Sequence, residues 1–336
     1  MVTIYDIAKH CGVSPSTVSK AINDYPAIPP ETKERIKAAM AEMKYIPNLQ
    51  AKSLSRGKSK NIGILVYLEH DVSPFTHPLF GAILDSFSRK VSQAGYNLLF
   101  VSHYVEGTRE GGLLKNMIAR NVEGVVILGE MDNPSVLEIV DSSVKSVGFD
   151  YYGGKMPGIY TDGYSALKAV TEKLLSLGHR EIAFITGKQN KITDQRIKGF
   201  QDALYEYRVP FNRANLLEGE YFNQERGIEL TKKLLRRTLR PTATIYPDDY
   251  VAIAGMEEIK REGLSIPGDI SVFGFDGLEM GRYTSPKLAT VVQDTKAIGE
   301  ALGDALMAEM SDESSPKDIS IPGRLLLSES IGRVRA

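Results

Sequence analysis

From residue 61 onward, short apolar runs alternate with longer amphipathic stretches, and few folds accommodate that pattern. The runs at 62–68, 98–101, 125–128, 146–149, 182–185, 243–246 and 270–275 read as strands. Between them, helical spacing of apolar residues appears at about 79–94, 109–120, 163–177, 192–207, 223–236, 248–262 and 294–310. Strands this apolar are buried on both faces, which predicts parallel sheets covered by helices on each side. The halves 61–161 and 162–291 share one layout. They predict two doubly wound α/β subdomains, with ligand-binding groups just beyond the carboxyl ends of the strands. Hydrophobic residues make up 42% of the chain, enough for a large core, yet no run reaches membrane-spanning length. The single cysteine excludes an internal disulfide and suits a reducing cytosol. The N-terminus reads as an ordered module rather than a signal peptide, so a cytoplasmic location is expected.

That N-terminal module has different grammar. Thr3 can cap a first helix, with Asp6 answering as in a capping box, and Ile4, Ile7, Ala8 and Cys11 share one helical face. Gly12 permits a sharp turn, Ser14 is a good N-cap, and Pro15 suits a first helical position. The second helix then carries Ser16, Thr17, Ser19, Lys20 and Asn23 outward and Val18, Ala21 and Ile22 inward. This is a helix-turn-helix. Its polar face holds donor-rich groups able to reach base edges in a major groove; a plain helical bundle with a solvated face is the alternative. Residues 31–44 follow Pro29-Pro30 as a third helix, and Ile36, Ala39, Met40 and Met43 can close the small core. Residues 1–60 hold ten Lys/Arg against five Asp/Glu, so a head of about +5 joins a body of about −6 within a chain of net −1. A basic head on an acidic body points to an anionic partner for the head alone.

The segment VTIYDIAKHCGVSPSTVSKAIN, residues 2–23, together with YIPNLQAKSLSRG, residues 45–57, resembles the lactose-repressor/galactose-repressor (LacI/GalR) family of bacterial transcription factors. The resemblance continues more loosely through the rest of the chain. It implies a DNA-binding domain at 1–46, a hinge helix and linker at 47–60, and an effector-binding and dimerisation core at 61–336. The core would have a type I periplasmic-binding-protein fold: an N-subdomain of about 61–161 and 294–320, and a C-subdomain of about 162–291 and 322–332. DNA contacts are then expected from Thr3, Tyr5, Ser14, Pro15, Ser16, Thr17, Ser19, Lys20 and Asn23. Pro15, Ser16 and Lys20 occupy positions that set sequence preference in similar proteins. The hinge would add Asn48, Ala51 and Leu54, and Leu54 stands where the family places a wedge in the minor groove. Such a wedge costs unstacking energy and bends the duplex onto the protein. A short hinge helix is too short to be stable alone, which fits ordering on DNA. No leucine-heptad helix follows 325–333, so the expected partners are operator DNA, an effector and a second copy in a homodimer, without a membrane.

Candidate effector contacts stand after predicted strands. These are Asp150, Asp248, Asp276 and Gln293, with Arg196 at the start of a helix and Phe75 in the long loop 69–80 as a stacking group. Carboxylates accept from hydroxyls and a guanidinium donates a planar fork, a set suited to a sugar or sugar derivative. The alternatives are ordinary: a helix cap at Asp248 or Asp249, a turn at Asp150, a lobe-joining role for Gln293. The family's usual Asn-Asp is Asp248-Asp249 here, which adds negative charge and disfavours a phosphate ester. His70, Asp71 and His77 lack metal-site spacing, so no metal or cofactor is expected. There is no GxGxxG after a strand, no Walker loop, no HExxH and no GxSxG, so no enzyme is expected. A non-sugar metabolite or a protein co-repressor remains an alternative effector. A solute-binding protein or an enzyme on the same core is a remoter alternative, since fold alone does not separate these functions.

Overall fold

A computed structural model describes residues 2–46, 59–67, 76–101, 112–129, 131–312 and 318–334. The chain divides into two compact units, Met1–Lys60 and Asn61–Ala336. In the first, α1 (Ile4–His10), α2 (Pro15–Ile22) and α3 (Pro30–Glu42) enclose Ile7, Ala8, Cys11, Val18, Ala21, Ile36 and Ala39. The Thr3–Asp6 capping box starts α1. A Schellman turn ends it: Gly12 adopts φ +64°, and the Val13 N–H reaches the Ala8 carbonyl at 3.0 Å. The Ser14 hydroxyl accepts the Thr17 N–H at 3.1 Å and opens α2. The hinge positions Asn48, Ala51 and Leu54 lie outside the described residues, as does Phe75.

The second unit has two lobes. In the first lobe, β1 (Asn61–Tyr67), β2 (Asn97–Phe100), β3 (Val122–Gly129), β4 (Lys145–Phe149) and β5 (Gly158–Thr161) form a parallel sheet. They are interleaved with α4 (Pro78–Gln93), α5 (Gly112–Ala119) and α6 (Pro134–Val140). The second lobe contains α7 (Gly163–Ser176), β6 (Ile182–Thr186), α8 (Lys191–Glu206), β7 (Leu216–Glu218), α9 (Gln224–Leu235), β8 (Ala243–Ile245), α10 (Asp249–Arg261), β9 (Ser271–Asp276) and β10 (Ala289–Val292). The chain then returns: α11 (Thr295–Met310) packs on α4, and β11 (Asp318–Ile321) pairs in parallel with β5. It crosses once more, and β12 (Arg324–Leu326) lies antiparallel to β10. The sheet orders are β11-β5-β4-β3-β1-β2 and β12-β10-β9-β8-β6-β7.

Successive side chains on a strand face opposite ways. So Ile62, Ile64 and Val66 join Ile83, Phe87, Ile298 and Leu302 in one core cluster, while Leu65 joins Met117 and Ile139 on the other face. In the second lobe, Phe184, Phe273 and Phe275 pack with Phe200, while Ile185 and Val272 pack with Val251 and Met256. Six of the seven helices expected in the core begin and end within one residue of their expected bounds; for α5, the expected positions 109–111 lie outside the described residues. The expected pattern omitted α6 and the short strands β5, β7 and β11; the apolar run 290–292 before Gln293 is β10, and the last strand expected in the second lobe is β12.

The tail is pinned by Ser330, which is fully buried. Its hydroxyl accepts the Ala289 N–H at 2.8 Å and donates to the Val272 carbonyl at 2.7 Å. Ser330→Ala leaves both backbone groups unpaired, at a cost of about 1–3 kcal/mol. Calorimetry should show the melting temperature falling by roughly 2–4 °C per kcal/mol. The same change at exposed Leu327 should leave it in place.

Candidate functional site

A cavity of about 610 Å³ opens between the carboxyl ends of the two sheets. The first lobe contributes Leu79, Phe80, Met131, Leu137 and Phe149, a largely apolar wall, with Asp150, Tyr151 and Tyr152 after β4. The second lobe faces it with Lys188–Ile192, Arg196, Tyr221 and Asp276, and Gln293 comes from the crossover that follows β10. Of the expected contacts, Asp150, Arg196, Asp276 and Gln293 therefore line one cavity.

Each is held by its neighbours. Arg196 is 4% exposed on α8, and its guanidinium carbon sits 3.6 Å from the Phe275 ring centroid and 5.4 Å from that of Tyr221. Nη1 donates to the Pro247 carbonyl at 2.9 Å, and Nε has no partner among the described residues. Gly163 makes room for this side chain, because a Cβ there would lie 2.9 Å from Arg196 Cγ. Asp276 ends β9 with φ +109°; its Oδ1 accepts from Gln293 Nε2 at 2.6 Å, and its Oδ2 has no partner among the described residues. The Thr161 hydroxyl donates to Gln293 Oε1 at 2.5 Å, so a hydrogen-bond chain runs from β5 through the crossover to β9. Asp150 follows β4 in a left-handed conformation, φ +54°, and its buried Oδ1 is also unpartnered among the described residues.

Asp248 is elsewhere. It is 1% exposed and does not line the cavity. Oδ1 caps α10 by accepting the Val251 N–H at 2.9 Å, and Oδ2 accepts the Phe222 N–H at 2.8 Å. Asp249 accepts the Leu278 N–H at 2.7 Å and the Thr290 hydroxyl at 2.6 Å. The added negative charge of this pair thus acts from behind the wall. Burial pushes the Asp150 and Asp248 carboxyls up to about 6 and Asp249 to about 7. Asp276 is held well above the ordinary range, chiefly by burial and then by Asp248 and Asp249, with Arg196 opposing.

Two wall residues escaped the sequence reading. Tyr221, whose hydroxyl meets the Thr193 hydroxyl at 2.9 Å, and Phe222 follow β7, a strand of three residues. So short a run carries no periodicity, and the strand-end rule had nothing to point from. Tyr152 ties the walls together: its hydroxyl donates to the Lys191 carbonyl at 3.0 Å, and Lys191 Nζ donates to the Gly153 carbonyl at 3.1 Å. No cluster of potential metal ligands occurs among the described residues, and none of their helices is long and apolar enough to cross a membrane.

In the N-terminal unit, Tyr5, Ser16 and Lys20 are exposed. The Ser14 hydroxyl is engaged by Ser16 and Thr17 at 2.8 and 2.9 Å, and Thr3 is engaged in its capping box. Asn23 is partly buried and donates to its own helix at the Ser19 carbonyl, 3.0 Å away. Pro15, Thr17 and Ser19 are half-buried along the same helix.

The buried carboxyls fix a pH dependence. A carboxyl whose pKa is raised by folding contributes stability below its unfolded value, and that contribution is lost as pH rises through the folded value. Asp276→Asn keeps an acceptor for Gln293 and removes the ionisable group. Thermal melts of the full chain should show the variant gaining about 2–4 °C over the parent near pH 7.5 and about nothing near pH 4. A gain of equal size at both pH values would show that Asp276 ionisation does not cost stability.

Comparison with known proteins follows this geometry. Residues 3–48 match the family model described as bacterial regulatory proteins, lacI family, and residues 171–331 match the periplasmic binding protein-like domain. The ribose operon repressor of Haemophilus influenzae is 29% identical over 316 residues, covering 93% of each chain. Catabolite control protein A of Priestia megaterium is 26% identical, covering 98% of this chain and 99% of its own. The crystal structure of the lac repressor dimer bound to operator and the anti-inducer ONPF superposes with a TM-score of 0.84 at 25% identity, covering 98% of both chains. The first and third of these are named as repressors. The chain thus joins a head that matches the lacI family of bacterial regulatory proteins to a two-lobed core that matches the periplasmic binding protein-like domain, the arrangement of the lac repressor.

Proposed function

We propose that this repressor is controlled by a neutral polyol, a sugar or sugar derivative, bound between the two lobes. One observation carries the reading: three polar atoms on the cavity, Asp150 Oδ1, Asp276 Oδ2 and Arg196 Nε, are buried without a partner among the described residues. Buried polar groups are normally paired, so their partner is expected from outside the chain. Hydroxyls donate to carboxylates and accept from a guanidinium, so a polyol answers all three. The apolar first-lobe wall suits the carbon face of a sugar ring. Lining carboxyls (Asp132, Asp150, Asp194, Glu220, Asp276) outnumber lining cations (Lys188, Lys191, Arg196), which works against an anionic ligand. The ribose operon repressor among its relatives is in keeping with a sugar.

On the DNA side, a homodimer presents two heads of residues 1–46 to a roughly palindromic operator. The lac repressor dimer on operator is the precedent. Tyr5, Ser16 and Lys20 meet bases or phosphates, assisted by Thr3, Ser14, Pro15, Thr17, Ser19 and Asn23. The hinge at 47–60 places Asn48 and Ala51 beside the minor groove and Leu54 within it. The effector alters DNA affinity by favouring one arrangement of the lobes of 61–336, and linkage makes that coupling reciprocal.

Thermal unfolding of the full chain against neutral saccharides, sugar phosphates, amino acids and nucleobases tests the effector. A saccharide at a hundred times its Kd stabilises by about 2.7 kcal/mol. A shift with phosphate esters alone, or with none of the panel, overturns the polyol reading. Arg196→Ala should weaken the responding saccharide by about tenfold or more and leave effector-free operator binding intact. Loss of both would indicate a misfolded variant rather than a ligand contact. Leu54→Ala should reduce operator affinity by about tenfold or more while non-specific DNA binding holds; equal losses on both DNAs would remove the wedge.

A further inference from the structure

The imidazole of His77 is the most unusual buried group outside the cleft residues. It belongs to the first lobe, immediately before α4, and is 3% exposed. Neither Nδ1 nor Nε2 has a hydrogen-bond partner among the described residues. Its ring packs against its own lobe at Phe80, 4.8 Å between centroids, and against the second lobe at Phe222, 4.3 Å and nearly edge-on, and Tyr250, 5.2 Å. Phe80 and Phe222 both line the cleft. Leu278, also from the second lobe, is buried in the same first-lobe cluster as Ile83 and Phe87. The second-lobe side of this contact is fixed by the two carboxyls behind the wall. Asp248 holds the Phe222 N–H, Asp249 holds the Leu278 N–H, and Tyr250 is the next residue.

We propose that His77 is a positioning residue that sets the balance between lobes in contact and lobes apart, and thereby the sensitivity of the repressor to its effector. The reasoning is a competition between two parts of one side chain. Its ring buries apolar surface against Phe222 and Tyr250, which favours contact. Its two nitrogens lose water on contact and receive nothing in return, which disfavours it. Phenylalanine would supply the first effect without the second. Histidine keeps the contact state from dominating before an effector arrives, because an effector shifts only an equilibrium whose two states are close in free energy. The proposal rests on the cleft being the effector site only for its regulatory consequence; the lobe equilibrium exists without any ligand.

Protonation acts in the same direction. Next to the ring contacts in sequence, the groups that can carry charge are Glu220, Tyr221, Asp248, Asp249 and the Tyr250 hydroxyl, with Asp248 and Asp249 turned to backbone N–H groups; farther along the packed helices, Asp85 pairs with Arg89, Lys90 with Asp304, Glu257 with Lys260 and Glu258 with Arg261. None of them offers the ring a partner. Burial alone lowers the imidazole to about 4 from its ordinary 6.5. Contact is therefore favoured above the ordinary value and lost as pH falls from there toward the buried one.

The test measures lobe separation in the full chain. Spin labels at Glu138→Cys on α6 and Glu225→Cys on α9, both exposed, report the distance across the cleft in a Cys11→Ser background. His77→Phe should raise the population at the short distance about tenfold. His77→Gln, which keeps polarity and loses the ring, should lower it. In the parent, acidification from about pH 7.5 to about pH 5 should lengthen the distance, and His77→Phe should blunt that response. An unchanged distribution in His77→Phe overturns the proposal. If that variant does not fold, a parent distribution unaffected by pH overturns it instead. With any saccharide that stabilises the parent, His77→Phe should bind about tenfold tighter. Failure of every saccharide together with a shifted distance distribution would remove the polyol reading and leave the role of His77 standing.

Discussion

Much of the core hangs on two adjacent carboxyls at the start of α10. Asp248 and Asp249 are almost completely enclosed and use their oxygens on the Val251, Phe222 and Leu278 N–H groups and the Thr290 hydroxyl. These bonds join α10 to the loop after β7, the turn after β9 and the strand β10. Burying a carboxyl is costly, and hydrogen bonds from fixed N–H groups are what make it tolerable. Because three of the four donors are backbone N–H groups, the pair sets mainly main-chain positions. Two of those positions, Phe222 and Leu278, are where the second lobe touches the first. A polar network inside one lobe thus defines the apolar surface that meets the other.

The cleft follows from the same economy of partners. The Asp248 and Asp249 oxygens are all taken, whereas one atom each of Asp150, Asp276 and Arg196 has no partner among the described residues. Arg196 shows how this arises. Its guanidinium is sandwiched against Phe275 and anchored at Pro247, so it cannot swing to pair with Asp276 or Asp150. The carboxyls are held apart from it by Gln293 and by the left-handed turn at Asp150. Groups that would neutralise one another in a flexible pocket are instead kept available, which is pre-organisation for a ligand carrying both donors and acceptors.

Residues do not reveal all of this equally. Alternation of strand and helix was legible because each α/β unit buries a strand on both faces and a helix on one, and both leave periodic signatures. The short edge strands β7 and β11 were not, because three or four residues hold no period and their pairing is decided by tertiary contact. For the site, the rule that ligand groups follow strands pointed to Asp150 and Asp276, and the apolar run 290–292 pointed to Gln293; all three line the cavity. The same rule singled out Asp248 as a contact, although the residue is a cap, because sequence does not show which way a carboxyl turns at a helix N-terminus. It missed Tyr221 and Phe222 because the strand before them was invisible. His77 was read only as a weak metal candidate; its isolation between two lobes is a property of packing, with no local trace.

These pieces bear on how a ligand signal can leave the cleft. A ligand seated on Asp276 and Arg196 contacts the second lobe, and one seated against Phe80 and Phe149 contacts the first. Binding both favours whichever lobe arrangement presents the two walls together. Phe80 and Phe222 belong simultaneously to those walls and to the ring cluster around His77, so the lobe contact and the shape of the cavity cannot change independently. A displacement of these rings would pass to α4, which packs along α11, the helix on which the chain returns to the first lobe. Packed helices move as units because interiors are close-packed and do not deform gradually. A shift of the rings at the start of α4 is therefore transmitted along its length to the surface of the first lobe.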